Sequence, residues 1–136
     1  MVKNRRGKNW ERFELFNKIL NSIRKLNCPV IVEGKKDEKA LRNLGYRGKL
    51  VKLNDGKSIL STVEKLAQKF GRGSKFIILM DWDYTGNILA KRLKEYGESC
   101  DLVPNVSIRQ NLSSLCSKDI VCVEDLPSFI EMLNVS

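Results

Sequence analysis

The chain has 136 residues, 42% hydrophobic and 30% charged, with 25 Lys and Arg against 16 Asp and Glu for a formal charge of +9. That length fits one domain able to bury roughly two-thirds of its unfolded surface, and that charge favours polyanions through phosphate neutralisation. No stretch reaches the ~18 continuous apolar residues of a membrane span, and the N-terminus lacks a signal-peptide apolar core, so a cytoplasmic protein without a membrane partner is expected.

Lys3, Arg5, Arg6 and Lys8 form a basic tip. It is expected to be mobile, and it reads equally as a solvated tail or as an arm that grips phosphate. Trp10, Phe13, Phe16, Ile19, Leu20, Ile23 and Leu26 then recur every three or four positions, which predicts an amphipathic helix with one buried stripe. Val30-Ile31-Val32 is a short β-branched strand ending at Glu33-Gly34. A helix carrying Ala40, Leu41 and Leu44 on one face follows, with Gly45 as its stop. Leu50 to Leu53 reads as a more exposed strand and ends in Asn54-Asp55-Gly56. The next helix puts Ile59, Leu60, Val63, Leu66, Ala67 and Phe70 on one side and stops at Gly71-Arg72-Gly73.

The most apolar run, Phe76-Ile77-Ile78-Leu79-Met80, predicts a central strand covered on both faces. It runs straight into Asp81-Trp82-Asp83. A helix from about Thr85 to Tyr96, with Gly97 as terminator, and a fourth strand at Leu102-Val103 come next. Beyond Pro104 a helix is expected around Ile108 to Cys116, then a strand or apolar turn at Ile120–Val123. A last helix starts near Asp125, with Pro127 in its first turn.

Strands alternating with helices predict right-handed crossovers and a parallel sheet. The fold class is therefore α/β, a three-layer α/β/α arrangement with a four-stranded parallel sheet. Residues 1–27 supply the arm and a helix that packs on the core, 28–103 the core itself, and 104–136 a C-terminal helical extension of the same domain. Ligands of such sheets sit beyond the carboxyl ends of the strands, where Glu33, the Asn54-Asp55-Gly56 turn, Asp81 and Asp83 all fall.

Acids at the end of a buried strand are costly unless a positive partner is present, and a divalent cation with a phosphate is the natural one. Residues i and i+2 of an extended segment point the same way, so Asp81 and Asp83 can face one ion. The alternative for Asp83 is a helix N-cap ahead of Thr85 and Gly86. Gly34 and Gly56 let backbone amides approach a phosphate, and Lys35 and Lys57 add local positive charge. Asp37 either extends the acidic set or favours a helix N-terminus, as Glu38 does. Trp82 reads as core before it reads as a base-stacking ring.

The chain contains no histidine. Any acid–base chemistry must use carboxylates, lysine, tyrosine or metal-bound water. Cys28, Cys100, Cys116 and Cys122 form no C-x-x-C pair, so buried, reduced thiols are expected rather than structural zinc.

Glu33-Gly34-Lys35-Lys36-Asp37-Glu38 and Asp81-Trp82-Asp83-Tyr84-Thr85-Gly86 resemble the two motifs of the Toprim domain, a Rossmann-related fold shared by topoisomerases, bacterial-type primases and several nucleases. The resemblance covers about residues 28 to 103. With Val32-Glu33-Gly34-Lys35, Asn54, Gly56, Ser58 and the stretch from Asp81 to Leu93, the chain is similar above all to small stand-alone members such as the bacterial maturase of 5S ribosomal RNA precursor. The resemblance implies a Glu33 that acts as general acid or base or shares the metal, and an Asp81/Asp83 pair that holds Mg2+, with Mn2+ as a substitute. It implies cleavage of a phosphodiester in RNA or DNA. Lys3, Arg5, Arg6, Lys8, Gly34, Lys35, Asn54, Gly56 and Lys57 are the expected nucleic-acid contacts. The alternatives are a non-catalytic nucleic-acid-binding module, or a subunit that docks a protein partner in an RNA-processing or replication complex. No zinc module, gate or tyrosine domain is present for polymerisation or topoisomerisation.

Overall fold

A computed structural model describes residues 2–53 and 58–134, with side chains from residue 8 onward. Four short strands, β1 (Val30–Val32), β2 (Leu50–Lys52), β3 (Lys75–Ile78) and β4 (Val103–Asn105), form one parallel sheet in the order β2-β1-β3-β4. Val30 pairs with Leu50 on one side and Ile77 on the other, and Ile77 pairs with Asn105. The chain leaves β1 towards β2 and later returns to β3 on the opposite side. The sheet therefore has its switch point between β1 and β3, where the crevice for a ligand opens.

β-branched and apolar side chains fill both faces of the central strands. Val30, Ile31 and Val32 are fully buried, as are Ile77 to Met80. Successive residues alternate between two clusters. Val32, Ile77 and Leu79 pack with Phe16, Leu41, Ile108, Leu112 and Phe129. Ile31, Phe76, Ile78 and Met80 pack with Val63, Leu66, Ala90 and Leu93. One outer layer thus consists of α1 (Val2–Leu26), α2 (Lys35–Asn43), α5 (Ser107–Cys116) and α6 (Leu126–Asn134); the other holds α3 (Ile59–Phe70) and α4 (Tyr84–Ser99). The expected three-layer α/β/α order with four parallel strands is the one observed.

Local chemistry sets the helix ends. Ser58 caps α3 by accepting the Ser61 amide at 3.1 Å, and Gly71 ends it at φ 88°. Gly45, at φ 91°, turns the chain out of α2. Three expectations need correction. The basic tip belongs to α1, which begins at Val2 rather than near Trp10. Trp10 lies outside the buried stripe, 60% exposed and stacked on Phe13. Gly97 does not terminate α4. It lies two residues inside the end, where a Cβ would come within 2.7 Å of the Phe76 ring; the missing side chain permits close helix–sheet packing. The ambiguous segment near Val123 is a 3-10 turn, Val123–Asp125, leading into α6. No helix among the described residues is long and apolar enough to cross a membrane.

Candidate metal centre

Glu33 follows the last residue of β1. Continuing the Ile31–Ile78 register by two residues brings it level with Met80, beside Asp81. Past Asp81 the chain bends into α4, and Asp83 is the N-cap: its backbone is extended (φ −104°, ψ −176°) and its Oδ1 accepts the Gly86 amide at 2.7 Å. The cap reading of Asp83 holds, and it leaves the second oxygen outside that bond. A Cβ at position 86 would collide with the Asp81 carbonyl, so a glycine there lets the first turn of α4 lie against the strand end.

Asp81 Oδ1 accepts the Val123 amide at 2.8 Å, from a residue 42 positions later. Arg109 of α5 holds the same strand end through its backbone. Its Nε donates to the Met80 carbonyl at 3.0 Å, and its Nη2 donates to the Asp81 carbonyl and to Asn87 Oδ1, both at 2.6 Å. Trp82 is core as expected, 8% exposed, with Nε1 donating to the Ile120 carbonyl at 2.7 Å.

Ligand atoms of Asp81, Asp83 and Cys122 all lie within 4.8 Å of one another. Beside them is an open pocket of about 300 Å³, lined by Glu33, Gly34, Lys35, Lys36, Asp37, Asp81 and Glu124. Among the described residues, Glu33, Asp81 and Asp83 take part in no ion pair. Partial burial raises the Glu33 carboxyl above its usual range, and the charges of Asp81, Asp37 and Asp83 push it further the same way. Burial also raises Asp37, while the Gly34 amide opposes the rise. The Cys122 thiol is pushed up to about 11, by burial first and then by the Asp81 and Asp125 charges.

Converging acids at the switch point of a four-stranded parallel sheet agree with the comparison to known families: residues 28–111, more than half the chain, match the family model of the Toprim domain. The chain belongs to the Toprim family. Its relatives include the UPF0292 protein of Pyrococcus furiosus, 36% identical over 125 residues, covering 92% of this chain and 91% of the relative. The UPF0292 protein of Thermococcus onnurineus is 32% identical over 127 residues, covering 93% and 92%. A solved protein from Aquifex aeolicus superposes with a TM-score of 0.67 at 25% identity, over 81% of this chain and 96% of that one. Toprim domains are associated with metal-dependent cleavage or binding of nucleic acid and typically bind Mg2+ through acidic residues.

The Toprim rim of this chain has a donor set that fits such an ion. Two carboxylates, each with one oxygen engaged by a backbone amide and one outside that bond, are the oxygen donors magnesium uses alongside waters and substrate oxygens. Cys122 is a different donor: its soft sulfur is a poor partner for a hard cation. Glu33 lies outside the three-donor cluster and faces the adjoining pocket with Asp81.

The other expected contacts fall in several places. Lys35 is exposed on the pocket wall. The Gly34 amide is not free for a phosphate, because it donates to Asp37 Oδ2 at 3.1 Å at the start of α2. Lys8 is exposed on α1; the side chains of Lys3, Arg5 and Arg6, and all of Asn54, Gly56 and Lys57, lie outside the described residues. The expectation of four buried thiols holds for Cys116 alone, since Cys28, Cys100 and Cys122 are intermediate. Sequence reasoning missed Cys122, Glu124 and Arg109. Only the placement of Arg109 next to the buried Ile108 could have signalled its inward role.

Proposed function

We propose that the chain cleaves a phosphodiester of RNA or DNA in a Mg2+-dependent reaction at the β1/β3 rim. One observation carries this: the Asp81 and Asp83 carboxylates converge at the edge of a pocket that Glu33 and the start of α2 also line. Bound by Asp81 and Asp83, the ion would supply positive charge to polarise a phosphoryl oxygen. Lys35 and Lys36, with the free amides of the first turn of α2, orient the phosphate group. Glu33, its proton held more tightly than usual by burial and by three acidic neighbours, gives or takes the proton at the reacting oxygen. With no histidine in the chain, that role falls to a carboxylate.

A second reading draws on the structural duties of the same acids. Asp83 caps α4 and Asp81 holds Val123, as both would in a Toprim scaffold that binds nucleic acid without cutting it. Labelled RNA and DNA incubated with Mg2+ separate the two. The nuclease reading expects cleavage by the native chain, abolished by chelator, by Asp81→Asn and by Glu33→Gln, with binding retained. Cleavage indifferent to all three overturns it, and binding with no cleavage at any Mg2+ concentration favours the scaffold.

A further inference from the structure

We propose that the open edge of the sheet carries a second phosphate-binding site, a lysine-lined groove between β2 and α3 that holds the backbone of the polynucleotide cut at the rim. The inference rests on the nucleic-acid reading above but on none of the residues of the metal centre.

β2 is an edge strand, with β1 as its partner among the described residues. Between it and α3 lies a groove of about 240 Å³, lined by Lys49, Lys52, Lys65 and Lys69 and, among the described residues, by no acidic one. Lys49, Lys65 and Lys69 are exposed. Phe70, 42% exposed, stands at the far end with its ring 5.5 Å from Lys69 Nζ. Lys52 shares its charge with Glu38 at 3.9 Å.

Like charges four residues apart on a helix repel, and Lys65 and Lys69 stand in that relation. Lys49 comes near enough to Lys69 that their contact and mutual charge pull its ammonium below the ordinary lysine value. Lysines on an edge strand guard against strand pairing, which explains Lys49 and Lys52. It does not explain Lys69 on the helix opposite, in contact with Lys49. Among the described residues neither Lys49 nor Lys69 takes part in an ion pair, and two ammonium groups held together in a concavity are stabilised by a polyanion whose phosphates supply counter-charge. Lys49 precedes β2 by one residue, so the groove extends about 10 Å, one strand length, below the rim. A backbone leaving the metal centre along this edge would meet it.

The test is fluorescence anisotropy with labelled RNA and DNA oligonucleotides across a salt series, using the native chain, a Lys49→Gln/Lys69→Gln variant and a control Lys91→Gln/Lys94→Gln variant on exposed α4 positions. The groove variant should lose about tenfold in affinity and flatten the log–log salt slope by about 1.5, the value for two lost phosphate contacts. Its melting temperature should be no lower than that of the native chain, since repulsion has been removed. An unchanged slope in the groove variant, or an equal loss in the control, overturns the second site and leaves the rim reading intact. Native chain that binds neither RNA nor DNA overturns both. Lysine-dependent binding to phosphatidylserine vesicles with polynucleotide binding untouched overturns the choice of partner.

Discussion

Asp81 and Glu33 face opposite electrostatic problems. Asp81 has a backbone donor in Val123, whereas Glu33 is raised by burial and then by the negative charges of Asp81, Asp37 and Asp83. Its folded state therefore holds a proton more tightly than its unfolded state. The stability this provides is full below the ordinary carboxylate value of 4.5 and is lost as the pH rises through the elevated folded value. Glu33→Gln removes that ionisation. The metal-free variant should melt higher than the native chain at neutral pH, with the gap closing on acidification below the ordinary value. A gap of constant size from pH 7 to pH 4 would contradict the electrostatic origin.

Elements bring the rim together, and α5 does so through one side chain. Arg109 ties the Met80 and Asp81 carbonyls to Asn87 on α4. Burial lowers its guanidinium from the usual arginine value, and the Asp83 and Asp81 charges counter that. Arg109→Ala leaves two strand-end carbonyls without this donor and should cost about 1–3 kcal/mol in a denaturant melt. It should also weaken Mg2+ binding by calorimetry, because the carboxylate is carried on the backbone it fixes. Arg109→Lys should recover little, since an ammonium cannot bridge the three acceptors as a planar fork does. Destabilisation with unchanged Mg2+ affinity would show that Arg109 supports the fold and not the site. The strands were legible in the sequence because Val30–Val32 and Phe76–Met80 are apolar on both faces. Gly97 was misread because a glycine needed for contact with Phe76 looks, in sequence, like one that ends a helix. The start of α1 was hidden for a different reason: its first residues are polar and carry no apolar period.

Across the whole molecule, an acidic rim sits in a chain of net charge +9. In the proposed function, a basic body attracts a polyanion over long range, and the acids at the strand ends would make its last approach depend on a cation. The positions of Glu33, Asp81 and Asp83 were legible in the sequence because Glu33 directly follows β1, Asp81 directly follows the apolar run ending at Met80, and Asp83 caps α4. Cys122, Glu124 and Arg109 reach the rim only through packing of segments after β4, and nothing local marks Cys122 or Glu124. The central question is whether Asp81 and Asp83 hold one divalent ion, and Mn2+ titration followed by electron paramagnetic resonance answers it most directly. Native chain should take up Mn2+ that Mg2+ displaces, and Asp81→Asn and Asp83→Asn should each lose about tenfold or more in affinity, the worth of one charged ligand. Mn2+ bound equally well by the native chain and both variants would contradict a metal centre at this rim.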